Sequence, residues 1–198
     1  MPPKLSKVES ENIALASRAK TLLQSRYGLW VIGLISFVES ALLVPIVTDP
    51  FMVAYILFNK SRALAGVAMT VVTSVAGGVM AYVTAVFFTE LILGYLEPET
   101  VAYFWELTAK LESGTFLLAF MGAVTPIPFT LVALAAGTIK GGLVMFIIGA
   151  LVGRILRYGL VGYLTYRFGE SALALARKHI ILLSILIFAA VLSWLLTL

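Results

Sequence analysis

The chain has 198 residues, 61% hydrophobic and only 12% charged, against about 25% charged in ordinary globular domains. With a mean hydropathy of +1.05, no cysteine and one histidine, it excludes a disulfide scaffold and a thiolate or histidine-cluster metal site, and it reads poorly as a water-soluble domain. The net charge is +4, but the basic residues are scattered beside apolar stretches, a pattern of membrane topology rather than of nucleic-acid contact.

Residues 1–27 are a polar leader of mixed charge. Ser6-Lys7-Val8-Glu9 has capping-box spacing. Ile13, Leu15, Ala19, Leu22 and Leu23 then share a loose apolar face among Arg18, Lys20 and Arg26. This predicts a helix lying at the lipid interface, with a solvated leader as the alternative. No small-residue cleavage site follows the first apolar run, so a cleaved signal peptide is not expected.

A single membrane domain is expected over 28–198, built from five apolar segments: 28–58, 63–96, 115–139, 141–166 and 179–198. Residues 97–112 interleave Glu97, Glu99, Glu106 and Glu112 with Val101, Phe104, Trp105 and Leu111, which predicts an acidic interfacial helix with Pro98 in its first turn. Two of the apolar segments are abnormal. The first holds Glu39, Pro45, Asp49 and Pro50, and the third holds Pro126, Pro128 and Gly137. A single span needs about 20 apolar residues, so 31 residues broken by prolines predict a re-entrant hairpin, with Pro45 at the first tip and Thr125, Pro126 and Pro128 at the second. Irregular backbone at membrane depth requires cover from protein or a wet cavity.

With both hairpins re-entrant and the other three segments spanning, Lys4, Lys7, Arg18, Lys20, Arg26, Lys60, Arg62, Arg167, Arg177 and Lys178 fall on one side, and only Lys110 and Lys140 on the other. The positive-inside rule then places the N-terminus in the cytoplasm and the C-terminus outside. The expected fold is an all-α integral membrane protein with two opposed re-entrant helical hairpins and about three transmembrane helices in an inverted repeat, a plan recurrent among secondary transporters.

Glu39, Asp49, Arg154 and Arg157 lie within these apolar stretches. A charge at the bilayer centre costs about 2.5–3.5 kcal/mol on insertion scales, so such residues face the bundle interior and pair or mark a transport path. Burial disfavours the charged form of a carboxyl and a nearby arginine favours it, so Glu39 and Asp49 are candidate proton-responsive groups. Capping of a returning helix is the structural alternative for Asp49, with an analogous alternative for Glu39, and the structural and proton-responsive roles can coexist. Arg154 and Arg157, three apart on a helix, share a face and suit a phosphate gripped by guanidinium forks. Their alternative is to neutralise the two acids. Gly77-Gly78, Gly149 and Gly153 allow close helix approach. His179 reads as interfacial.

Ser36-Phe37-Val38-Glu39-Ser40 followed by Pro45-Ile46 and Asp49, then Gly77-Gly78 with Tyr82, Thr125-Pro126-Ile127-Pro128-Phe129, Ala136-Gly137 and Gly153-Arg154 with Arg157 resemble, in this order, the DedA (VTT-domain, SNARE-associated) family, most closely its YqaA-like bacterial subgroup. Val47 stands where the family has a second proline, and Thr130 where it has a lysine. The resemblance implies a small integral protein of the bacterial inner membrane with two opposed re-entrant hairpins. It also implies proton-dependent movement of polyprenyl phosphate or phospholipid between leaflets, with Glu39, Asp49, Arg154 and Arg157 as its important charges. The partners expected are a phosphate-bearing membrane lipid and protons, without nucleic acid, cofactor, metal or enzymatic chemistry. The oligomeric state stays open. A proton-coupled small-solute or ion transporter and a non-transport membrane-organising protein are the rival readings.

Overall fold

The computed structural model describes residues 17, 21–25, 27–42, 44, 47–102, 105–106, 114–125 and 127–169, and every regular element among them is helical. Six α-helices follow in order: α1 Gly28–Ala41, α2 Thr48–Phe58, α3 Ala63–Leu93, α4 Thr115–Val124, α5 Phe129–Thr138 and α6 Leu143–Phe168. A 3-10 turn, Lys60–Arg62, joins α2 to α3. Residues 98–102 and 105–106 of the acidic stretch are also helical. Pro45, Pro126, most of the leader, 107–113 and the expected last span 179–198 lie outside the described residues.

Helix length separates the elements into two kinds. No charge interrupts α3 before Glu90, and its 31 residues measure about 46 Å. The 26 residues of α6 measure about 39 Å. Both exceed the roughly 30 Å of a bilayer's hydrocarbon core, and both are apolar enough to cross one. The other four helices have 10 to 14 residues, at most about 21 Å, and are too short to cross. Their breaks are extended backbone: Leu42 and Val47 bound the gap between α1 and α2, and Thr125 and Pro128 bound the gap between α4 and α5. Proline has no N–H to continue a helix and pushes the preceding residue out of the α region.

The six helices form two units, α1-α2-α3 and α4-α5-α6, with one contact pattern. Each long helix packs on the first short helix of its own unit, α3 on α1 and α6 on α4. It also takes the second short helix of the other unit, α3 with α5 and α6 with α2. Gly162 near the end of α6 faces Val67 near the start of α3, while the Tyr82 hydroxyl of α3 bonds the Gly141 carbonyl just before α6. The two long helices are therefore antiparallel.

Close approach within each unit depends on glycine at equivalent places. A Cβ on Gly77 would collide with the Phe37 carbonyl of α1, and one on Gly149 with the Phe116 carbonyl of α4. Between α1 and α3 the contact is partly polar, with Ser36 Oγ donating to the Thr70 carbonyl at 2.9 Å and the Ser40 and Ser74 hydroxyls 2.7 Å apart. In lipid, where apolar burial drives little association, such bonds contribute roughly 0.6–2 kcal/mol each. One apolar core gathers Tyr82, Phe129, Val132 and Phe146, and a second gathers Ile32, Met52, Tyr55 and Tyr158.

Gly77→Val and Gly149→Val are each expected to lower stability by about 1–3 kcal/mol through overpacking. Gly159, whose Cβ direction is open, provides the control: Gly159→Ala is expected to be neutral or slightly stabilising. Thermal unfolding of the purified protein in detergent distinguishes the three.

Candidate functional site

The four charges expected from the sequence lie where the breaks in the short helices meet α6. Glu39 ends its carboxylate at the first turn of α2, where Oε2 accepts from the Thr48 amide at 3.1 Å and from the Thr48 hydroxyl. Val47, the residue that should cap α2, makes no side-chain bond, so Glu39 of α1 supplies the cap from nine residues away. A carboxylate there also meets the positive end of the helix dipole. Of the two acids weighed as caps at the sequence level, Glu39 is the one that caps α2.

Asp49 sits in the first turn of α2 and forms an ion pair with Arg157, Oδ2 to Nη2 at 2.6 Å. The same guanidinium donates through Nη1 to the Thr125 carbonyl at 2.7 Å. Thr125 is the extended residue ending α4, so this carbonyl is one that the break deprives of a helical partner. Arg157 therefore bridges the return helix of one unit and the break of the other. Its side chain is 18% exposed and that of Asp49 28%, which makes this a shielded pair rather than a surface one. The Asp49 Oδ1 atom is buried and has no hydrogen-bond partner.

Arg154 has a different environment. It is 1% exposed, and Nη1 donates to the Tyr158 hydroxyl at 3.0 Å. Its guanidinium carbon lies 4.4 Å from the Phe129 ring centre and 5.2 Å from that of Tyr158. Among the described residues it forms no ion pair, and its buried Nε has no hydrogen-bond partner. A desolvated cation–π contact contributes about 2 kcal/mol, less than the several kcal/mol that removing the charge from water costs. Glu39, Asp49 and Arg157 all lie within electrostatic reach of Arg154, so the quartet shares one region without forming one closed cluster. Each acid already has a partner, and Arg154 is the cation left over.

Three further residues complete the site. Thr130, in the first turn of α5, donates to the Glu39 carbonyl at 2.6 Å and the Leu42 carbonyl at 3.2 Å. Tyr158 holds Arg154 at i+4, a spacing the sequence does display. Thr48 and Thr130 carry no sequence signal for their roles, because their partners arrive from other helices. Of the hairpin-tip residues, Thr125 is buried and its hydroxyl folds back onto the Met121 carbonyl at 2.8 Å, while Pro128 is exposed. Among the described residues no group of three His, Cys, Asp or Glu is placed to hold a metal.

Short helices separated by proline-containing breaks, packed between two helices of membrane-crossing length around sequestered charges, are the construction of a helical membrane protein. Residues 44–167 match the VTT domain. The match covers more than half of the chain, which belongs to that family of membrane proteins, also called DedA. The chain is similar to an uncharacterized protein of Haemophilus influenzae, 27% identical over 156 residues that cover 78% of this chain and 81% of the relative. No solved structure matches it.

Removing either partner of the Asp49–Arg157 pair leaves a shielded charge uncompensated. A double-mutant cycle of Asp49→Ala and Arg157→Ala is expected to show a coupling of about 1–3 kcal/mol. Additive losses in detergent unfolding would mean that the pair is not formed.

Proposed function

We propose that this VTT-domain protein moves a lipid phosphate, carried by a polyprenyl chain or a phospholipid, between the leaflets of a bacterial inner membrane. In this reading α1-α2 and α4-α5 are opposed re-entrant hairpins, α3, α6 and residues 179–198 span, the N-terminus is cytoplasmic and the C-terminus outside. The reading also takes the chain as a member of the YqaA-like bacterial subgroup, whose motif order it resembles. The observation that supports transport most directly is Arg154: a fully buried guanidinium with no acid partner among the described residues and an unused Nε–H. Such a group attracts an anion, and phosphate offers the oxygens its fork matches.

The chemistry proposed is non-covalent. Arg154 and Arg157 hold the phosphate. For Arg157 to engage it, Asp49 must release the guanidinium, and a proton on Asp49 makes that release cheaper. Glu39 plays the equivalent part at the N-terminus of α2, where protonation would loosen the cap that sets the angle between α1 and α2. Proton uptake and phosphate binding thereby compete for the same partners, which makes the movement proton-dependent without an enzymatic step.

One observation favours a structural reading instead. Arg157 is fully engaged by Asp49 and the Thr125 carbonyl, as a bundle-stabilising tie would be. The readings separate in proteoliposomes containing labelled phospholipid or polyprenyl phosphate. Transport predicts at least a tenfold slower flip for Arg154→Ala and for Glu39→Gln, with unfolding temperature near that of the wild type. Wild-type flipping by both variants would sink the assignment. Full activity of the exchanged pair, Asp49→Arg with Arg157→Asp, would favour the tie.

A further inference from the structure

The end of the bundle away from Lys140 carries a second polar feature, apart from the buried quartet. Lys60 and Ser61, in the 3-10 turn before α3, and Tyr166 and Arg167, in the last turn of α6, line an open cleft of about 350 Å³. That volume lies at the small end of the ~300–1,000 Å³ range of ligand sites. Among the described residues no acid lines the cleft. The ion pairs given by the described residues, Lys140–Glu90 and Arg157–Asp49, are elsewhere, so the charges of Lys60 and Arg167 are not neutralised within it.

The walls of the cleft are held in place from below. Asn59 Nδ2 donates to the Leu23 carbonyl at 3.0 Å and the Tyr55 carbonyl at 3.1 Å, and the Arg62 amide closes onto the Asn59 carbonyl at 2.9 Å. These bonds pin the turn that carries Lys60 and Ser61. One turn before Tyr166, Gly162 lies directly against Val67 and next to Ile56, so the end of α6 is drawn against the start of α3. Two cations and two hydroxyls are thus gathered where two membrane-length helices end, the depth of lipid headgroups. Just inside that level, Leu64 and Tyr163 of the same helices are 82% and 62% exposed, an apolar surface suited to acyl chains.

We propose that this cleft binds a phosphate anion at the membrane surface, with Lys60 and Arg167 supplying the charge and Ser61 and Tyr166 neutral hydrogen-bond donors. It is a site separate from Arg154 and does not depend on lipid movement. Generic attraction of juxtamembrane cations to anionic lipid is worth about 1 kcal/mol per residue, and a topology signal alone would treat every cation at this end alike. The cleft does not: Arg62, at the same end and exposed, is not part of its lining.

The test titrates the full chain in detergent micelles with phosphatidylglycerol and reads bound lipid by native mass spectrometry. The double variant Lys60→Ala/Arg167→Ala is expected to bind about tenfold or more weakly at the first site, while Arg62→Ala remains within twofold of the wild type. Competition by millimolar glycerol 3-phosphate would assign the site to soluble phosphate, and its absence to the lipid headgroup. Equal binding by the double variant and the wild type, or an equal loss on Arg62→Ala, would overturn the proposal. Thermal unfolding of each variant identifies any that loses binding by failing to fold.

Discussion

A helix that stops inside a packed bundle leaves backbone donors and acceptors without intrahelical partners, and the described residues of this protein hold two such breaks. Everything at its centre follows from how those groups are satisfied. Arg157 closes the end of α4 by donating to the Thr125 carbonyl, and Glu39 closes the start of α2 by accepting from the Thr48 amide. Thr130 at the start of α5 closes the end of α1 through the Glu39 and Leu42 carbonyls. In the last of these, the group that completes one unit's break belongs to the other unit, and Arg157, in closing the break of its own unit, also pairs with Asp49 of the other.

This exchange explains how the charges are distributed. Glu39 is committed to the N-terminus of α2, and Asp49 to Arg157. Neither carboxylate remains for Arg154, whose guanidinium rests on Phe129 and Tyr158 instead. Phe129 also stacks on Phe146 at 5.8 Å and lies over Gly78 of α3. The ring that supports the uncommitted cation is therefore part of the same core that joins the two long helices. A movement of α5 relative to α3 would alter the setting of Arg154 directly, a physical link between hairpin position and the charge proposed to hold phosphate.

The two ends of the bundle differ in a way that suits a protein with sides. At one, Lys140 pairs with Glu90 at 2.7 Å and lies 4.5 Å from the Trp105 ring, tying the acidic segment to the turn before α6. At the other, Lys60, Arg62 and Arg167 are exposed without such pairing among the described residues. The Lys140 charge is neutralised within the protein at the first end, and those of Lys60, Arg62 and Arg167 are offered outward at the second.

Composition and apolar run length alone pointed to a helical chain with about three helices able to cross a bilayer, because in lipid backbone self-satisfaction leaves few other forms. The two of these that fall among the described residues have that length and composition. Proline placement marked where the short helices stop, and the rarity of charge in apolar stretches picked out Glu39, Asp49, Arg154 and Arg157. Tertiary structure alone decided who partners whom. The i, i+3 spacing of Arg154 and Arg157 made them look equivalent, yet three residues along α6 separate a position facing Asp49 and the Thr125 carbonyl from one facing an aromatic wall. Glu39 and Asp49 looked like a matched pair of acids, yet one caps a helix and the other forms an ion pair. Such assignments depend on contacts between residues 9, 32, 91 and 108 positions apart, and local periodicity carries no information at those separations.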